Sequence, residues 1–383
     1  MITNSVLKVS FPGDLVFGNG VLKQLFDYIG EQNHKSIAIL TIDPLLGELE
    51  QYITSLKKQG VNVFVDRSIV REPSFKDVLQ IIDKFKDKSI EVVLGVGGGS
   101  VLDVAKVVAA QLGNNQPLEA IVGNGLLKGR NIPLICMPTT SGTGSEVSPN
   151  AIFIDDENQK KGIISPFLVP DKVYIDPELT LGLPPAITAS TGLDALTHCL
   201  EAFTNKFAQP FIDIFAYEGM HLIAKNIREA VQNGENIEAR YHVAMGSMLG
   251  GLCLGPVNTA AVHALSYPLG SMFNLAHGLS NALLLPYVME FNYTSNPKKY
   301  AQVAIALGCE KLSSDEETAK AGIEKIKSLI KDCGIPARLR EVDVPESAIE
   351  EMAHDAMKIE RLLVNNPREV KFEDAVDIFK AAY

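Results

Sequence analysis

Glu91-Val92-Val93-Leu94-Gly95-Val96-Gly97-Gly98-Gly99-Ser100 decides how the first half of the chain folds. Residues 91–96 read as a buried strand, and the glycines lead straight into a helix over residues 100–111. Working outward, Ser36-Ile37-Ala38-Ile39-Leu40-Thr41 is a β-branched run of the kind buried on both faces of a sheet. Val61-Asn62-Val63-Phe64-Val65 and Ile132-Pro133-Leu134-Ile135-Cys136-Met137 predict further strands, with helices over residues 45–59 and 75–88. Strands alternating with helices of this length imply right-handed parallel βαβ units. Past residue 140 the pattern loosens: Ala151-Ile152-Phe153-Ile154 and Lys172-Val173-Tyr174-Ile175 alternate as strands, and Leu183-Pro184-Pro185 breaks the run. Beyond it only helices are expected, over residues 188–203, 212–232, 237–254, 257–269, 279–291, 318–333 and 346–357. The expected fold is an α/β domain with a parallel sheet over residues 1–185 and an all-α domain over residues 186–383.

Three glycines between a strand and a helix let backbone amides approach a pyrophosphate, and the helix N-terminus adds partial positive charge. The same residues equally suit a tight turn, since Gly-x-Gly-x-x-Gly is not present here. Asp103, one turn in, is a candidate for capping the helix start or receiving a ligand hydroxyl. Pro138-Thr139-Thr140-Ser141-Gly142-Thr143-Gly144-Ser145-Glu146 is a second small, hydroxyl-rich loop after a strand. Two such loops at the carboxyl ends of parallel strands suit a nucleotide crevice.

At 383 residues the chain exceeds what a single core usually serves, and two domains are expected. Its hydrophobic content of 46% with 21% charged residues is that of a soluble globular protein. A net charge of -11 without a basic run excludes a nucleic-acid surface or an anionic membrane surface. Met1-Ile2-Thr3-Asn4-Ser5 lacks the charge and apolar core of a leader, and no run of about 18 apolar residues occurs, so a cytoplasmic protein is expected. The five cysteines (Cys136, Cys199, Cys253, Cys309 and Cys333) are widely spaced without Cys-x-x-Cys, and read as buried reduced thiols.

In Thr191-Gly192-Leu193-Asp194-Ala195-Leu196-Thr197-His198 the carboxylate and imidazole stand four apart, on one helix face. That spacing serves a metal or an ordinary helix-face hydrogen bond. His263 and His277 lie in stretches that are otherwise apolar and small, where an imidazole needs a partner. One carboxylate with three imidazoles makes a shell suited to Fe(II), Zn or Mn(II).

Taken in order, Gly97-Gly98-Gly99-Ser100 with Asp103, the 138–146 loop, Gly192 through His198, His263-Ala264-Leu265-Ser266, His277-Gly278 and Asn366-Pro367-Arg368 resemble the iron-containing (group III) alcohol dehydrogenases over nearly the whole chain. The resemblance implies a dehydroquinate-synthase-like fold: a dinucleotide-binding α/β domain, a helical domain, and an active site in the cleft between them. It implies Asp194, His198, His263 and His277 as metal ligands, and Gly97, Gly98, Gly99, Ser100, Thr139, Thr140 and Lys161 as cofactor-binding positions, with Asp103 and Thr143 more loosely so. It also implies oxidation of alcohols or reduction of aldehydes and ketones with NAD(H) or NADP(H), in a homodimer. Asn150 and Tyr267 are the candidate catalytic residues; Phe153, Leu254, Arg361 and Leu362 are the candidate substrate contacts.

Three positions depart from the pattern that the resemblance brings. Where many members carry a second histidine four residues after the third ligand stands Tyr267, whose phenol, with an ordinary pKa near about 10, is a poorer base. In Thr41-Ile42-Asp43, the carboxylate expected to bind the adenosine ribose comes one residue late, at Asp43; NAD remains the expected cofactor, with NADP the other option. Arg361 is either a surface residue or, facing the cleft with Tyr267, a binder of a substrate carboxylate or phosphate.

The expected chemistry is hydride transfer on an oxygen that the metal polarises. Four protein ligands usually close a structural zinc site, whereas Fe(II) accepts five or six and leaves room for substrate, which favours Fe(II) over Zn. The alternative is a sugar-phosphate cyclase or lyase of the dehydroquinate-synthase type, which calls for more Lys and Arg around the pocket.

Overall fold

The computed structural model describes residues 7–157 and 159–383. Its contacts cluster into two compact units, one of Ser10–Thr140 with Ser145–Thr180, the other taking in Leu181–Tyr383 and the short segment Ser141–Gly144.

The first unit runs β1 (Asp14–Phe17), α1 (Val21–Glu31), β2 (Ser36–Leu40), α2 (Leu46–Lys58), β3 (Asn62–Asp66), α3 (Phe75–Phe85), β4 (Val92–Gly97), α4 (Gly99–Gln111), β5 (Gly123–Asn124), β6 (Leu134–Pro138), β7 (Asn150–Ile154), β8 (Lys160–Ile164) and β9 (Lys172–Ile175). Six strands form an all-parallel sheet in the order β1-β9-β6-β4-β2-β3. β2, β4 and β6 are buried at every residue, as their unbroken apolar runs require. β7 leaves this sheet and pairs antiparallel with β8, which pairs parallel with β5. The sequence reading missed β1, a four-residue, half-exposed edge strand, and β8, which begins with two lysines. It also missed α1, whose first amides are capped from a distance: Asp176 accepts from Gly20 N at 3.0 Å and Leu22 N at 2.9 Å.

Asp66, at the end of β3, is buried and accepts from Ser68 N and Oγ and from Lys84 Nζ. Burial alone would push its carboxyl up, but Lys84 and the Ser68 donors outweigh that and hold it below the ordinary value. A depressed native pKa means that the contribution is fully present above the unfolded carboxyl's value and is lost as pH falls through the native one. Asp66→Asn is therefore expected to lower the melting temperature at pH 7, by the equivalent of roughly 1 kcal/mol, and to flatten its fall below about pH 4. Thermal denaturation between pH 7 and pH 3 checks this; parallel profiles for the two proteins would exclude it.

The second unit is built from α5 (Pro185–Thr204), α6 (Pro210–Gln232), α7 (Ile237–Leu254), α8 (Ala261–Phe273), α9 (His277–Asn292), α10 (Pro297–Ala306), α11 (Asp315–Asp332), α12 (Ile349–Met357), α13 (Glu360–Leu363) and α14 (Phe372–Ala382). α5 is buried along nearly its whole length and packs against α6, α7 and α9. The helix expected from residue 257 begins only at Ala261, because Asn258 has φ 74° and Ala260 has φ -138° and ψ -133°, neither compatible with a helical turn. α8 continues through Pro268 and ends where Asn274 takes φ 54°. No helix among the described residues is long and apolar enough to cross a membrane. All five cysteines are free; Cys309 is half-buried and the others buried, and burial pushes Cys136 and Cys199 up to about 12.

Candidate metal centre and nucleotide loops

Asp194 and His198 leave the same face of α5, His263 sits in the first turn of α8, and His277 opens α9. What brings His277 to Asp194 is Gly278: a Cβ there would lie 2.3 Å from the Ser190 carbonyl oxygen, so the first turn of α9 rests directly on the α5 backbone. The Nε2 atoms of His263, His277 and His198 lie 3.7, 3.8 and 3.9 Å from Asp194 Oδ1. Asp194, His263 and His277 offer ligand atoms all within 4.8 Å of one another. His198 stands outside that set, its ring stacked on His263 with centroids 4.8 Å apart and its Nδ1 buried without a partner.

Burial would raise the Asp194 carboxyl, but the three imidazoles, His198 foremost, and the Asn281 amide together hold it at about 2. It is thus an anion at any ordinary pH. Burial pushes His198 down, against the pull of Asp194, so its imidazole tends to the neutral form that offers a lone pair. An anionic carboxylate and imidazole nitrogens converging in a buried site fit a divalent metal of intermediate hardness.

Two residues that the sequence reading passed over complete this centre. Glu201, three residues after His198, takes the His263 Nδ1 hydrogen at 2.6 Å with one oxygen and the Val262 amide at 2.6 Å with the other. This leaves the Nε2 lone pair of His263 on the Asp194 side. Asn281, one turn along α9 from His277, places its Nδ2 2.7 Å from Asp194 Oδ1, 3.1 Å from His263 Nε2 and 3.2 Å from His277 Nε2, while its Oδ1 is buried without a partner. Spacing from a histidine, three residues for Glu201 and four for Asn281, is the signal that could have found both.

Tyr267, one turn beyond His263 on α8, has its ring centroid 6.1 Å from that of His277 and accepts a hydrogen bond at 3.0 Å from Arg361, on α13. The segment after α13 is fastened by buried amides: Asn365 Nδ2 donates to the Thr259 carbonyl at 2.8 Å, and Asn366 and Asn292 exchange hydrogen bonds of 2.7 and 2.9 Å. Asn366-Pro367-Arg368 is in this respect a structural fastening. Of the other candidate substrate contacts, Leu254 is buried at the end of α7 and Leu362 fully buried in α13. Phe153 is 1% exposed and packs in the core of the first unit, its ring 5.4 Å from that of Phe75, so core packing rather than substrate contact accounts for it.

In the first unit, β2 connects outward to β3 while β4 leads the other way to β6, so the order of the sheet reverses between β2 and β4. Such a switch point is where open parallel sheets bind ligands, and Asp43 and the Gly97–Ser100 turn follow the two strands that flank it. The glycines divide the work. A Cβ on Gly97 would lie 2.7 Å from Val101, so this residue is glycine for the packing of α4 on the sheet, whereas at Gly98 the nearest atom is Thr140 Oγ1 at 3.4 Å. No side chain caps the first turn of α4. Asp103 does not cap it as expected; its carboxylate accepts from Ser145 Oγ and from Ile152 N at 2.9 Å.

Lys106, fully buried one turn later, donates to the carbonyls of Ser148 at 2.9 Å and Asn150 at 2.7 Å. Together Asp103 and Lys106 tie the stretch from Ser145 to Ile152 to α4. Buried Glu146 beside them is pushed up to about 7 by burial, against its own amide and Lys106. Asn150 Oδ1 is buried and unpartnered. Thr139 is buried, its amide donating to the Gly97 carbonyl at 3.0 Å, and Thr140 is half-buried. Lys161 is held by Gln159 and Asp155, and Asp43 is exposed and paired with Arg67 at 2.7 Å. Thr143 lies in the segment that clusters with the helices, where a Cβ on Gly144 would lie 2.3 Å from the Cα of Gly251.

Residues 12–177 match the model of iron-containing alcohol dehydrogenase, and residues 188–383 that of the C-terminal part of the Fe-containing alcohol dehydrogenase family. The chain belongs to the iron-containing alcohol dehydrogenase family. This family member is 38% identical to long-chain-alcohol dehydrogenase 1 of Geobacillus thermodenitrificans (strain NG80-2), over 99% of this chain and 97% of that one. Its structure superposes on the crystal structure of a 1,3-propanediol oxidoreductase with a TM-score of 0.94 at 30% identity, covering 99% and 100% of the two chains. It superposes on the sulfoacetaldehyde reductase of Bifidobacterium kashiwanohense in complex with NAD+ with a TM-score of 0.88 at 26% identity, covering 99% of each. The parallel-sheet unit and the helical unit are those of the family, and the protein is an oxidoreductase acting on alcohols and aldehydes.

Proposed function

We propose that this family member interconverts a primary or secondary alcohol and its aldehyde or ketone with NAD(H), using Fe(II) held by Asp194, His198, His263 and His277. The observation that carries the reading is the convergence of one buried anionic carboxylate and the imidazoles around it. Bound there, iron would supply a Lewis acid for the substrate oxygen, and bound nicotinamide the hydride donor or acceptor. Asp194 supplies the charge that attracts a cation, and Glu201 and Asn281 hold the ligand atoms in place. Iron is preferred to zinc because four protein ligands leave zinc no open position.

The uncapped first turn of α4, with Gly97, Gly98, Gly99 and Ser100, receives the pyrophosphate, and Thr139, Thr140, Thr143 and Lys161 add hydroxyl and ammonium donors. Asp43 accepts from the adenosine ribose, which favours NAD, the cofactor in the Bifidobacterium structure. Tyr267 and Asn150 orient substrate and nicotinamide. Residues 1–185 then form the nucleotide domain and residues 186–383 the metal domain, in a cytoplasmic homodimer.

Protein purified without oxygen and loaded with iron should consume NADH in equal amount with an aldehyde, followed at 340 nm beside NADPH. A cyclase of the dehydroquinate-synthase type would regenerate its cofactor and show no net consumption. Full activity with zinc alone would overturn the preference for iron, and a monomer by light scattering would overturn the dimer.

A further inference from the structure

We propose that Arg361, braced by Tyr267, is an anion-recognition point, and that the substrate is a short aldehyde or primary alcohol carrying a carboxylate or sulfonate. This rests on the alcohol dehydrogenase reading and names the substrate class of the same site. Arg67, Arg71, Arg130 and Arg228 spend their guanidinium on Asp43, Asp77, Asp171 and Asp332, while Arg240 spends its own on Thr188 and the Gly234 carbonyl and Arg338 on the Ala381 carbonyl. Arg361 forms no ion pair among the described residues. It is held instead by a phenol, with one N–H on Tyr267 Oη at 3.0 Å and the guanidinium carbon 5.9 Å from the centre of the ring. A guanidinium has five N–H donors in a planar fork, so this brace fixes its direction and leaves a matched pair for a carboxylate or sulfonate.

Its place beside the metal centre gives the cation a purpose. Tyr267 follows the ligand His263 by one turn of α8, and its ring lies 6.1 Å from that of His277, so one helix face carries a metal ligand and the brace for Arg361. In a chain of net charge -11, a cation here offsets the repulsion of an incoming anion. A lysine would give charge without the fork, and Arg361→Lys is expected to recover only part of the effect.

The test compares butanal with 4-oxobutanoate, which differs by a terminal carboxylate, and with 2-sulfoacetaldehyde, on the iron-loaded enzyme and Arg361→Gln. Arg361 is exposed, and its replacement leaves the core intact. The wild type is expected to favour the anions in kcat/KM, with Arg361→Gln lowering the anionic-to-neutral ratio by about tenfold or more, chiefly through KM. Calorimetric binding of succinate, which needs no turnover, should weaken by about the same factor. A wild type that prefers butanal, or a ratio and succinate affinity that Arg361→Gln leaves in place, would overturn the anion site while the alcohol dehydrogenase stands. If none of the three aldehydes oxidises NADH, the underlying reading falls and this one with it. The carboxylate and sulfonate arms show which anion the fork prefers.

Discussion

Replacing His263 with alanine is expected to lower turnover at least about a thousandfold and to leave protein purified from iron-supplemented cells without stoichiometric metal. The imidazole is 3% exposed and stands 3.7 Å from Asp194 Oδ1, and a water filling its space lacks the ring nitrogen fixed by Glu201. Its loss also strands Glu201, whose Oε2 takes the His263 Nδ1 hydrogen at 2.6 Å in a buried setting. Chelation of the wild-type protein should reproduce the loss of activity, and returning Fe(II) should reverse it in the wild type alone. Metal analysis and NADH oxidation on the same samples check this; a His263→Ala protein with full iron and wild-type turnover would remove His263 from the centre.

Glu201→Gln, a change of one atom, is expected to weaken metal binding by about 10- to 100-fold. Glu201 must accept twice, from the His263 Nδ1 hydrogen and from the Val262 amide, each at 2.6 Å. Glutamine has one accepting oxygen and one donating amide, so either a donor is left facing a donor, at a cost of about 1–3 kcal/mol, or His263 shifts its hydrogen to Nε2 and loses the lone pair on the Asp194 side. Competition against a chelator measures the affinity, and melting of the metal-free protein measures the stability. A role confined to packing would lower the melting temperature and leave the affinity for metal as it was. Only a change in metal binding supports a positioning role for Glu201.

The α/β half was legible because β2, β4 and β6 are continuous apolar runs, which few structures other than a doubly covered sheet can bury. β1 was illegible for the converse reason: at the sheet edge it is four residues long and half-exposed, so its short Leu15-Val16-Phe17 run carries little burial signal. Alternation in residues 151–154 announced a strand without saying which face meets the core, and the burial of Phe153 was therefore not legible. Asp194 and His198 could be seen as a pair from helical spacing alone. Their meeting with His263 and His277 depends on the backbone contact at Gly278, and no interval in the sequence encodes a contact between two helices 87 residues apart at Asp194 and Asn281. Glu201 hid for a different reason: an acid three residues after a histidine on a helix reads as a solvated charge until its burial is known.

The amide fastening at Asn292, Asn365 and Asn366 separates two duties along a few residues of chain. The anchor lies after α13, and Arg361 lies within α13; Asn365 reaches its backbone carbonyl, but its exposed side chain is held by Tyr267. A change of the side chain at position 361 therefore leaves the fastening, and the residues proposed to hold the metal, in place. On the proposed reading of Arg361, selectivity can drift, or be redirected by a designer, at this one exposed residue without disturbing the buried amides that hold the segment in place.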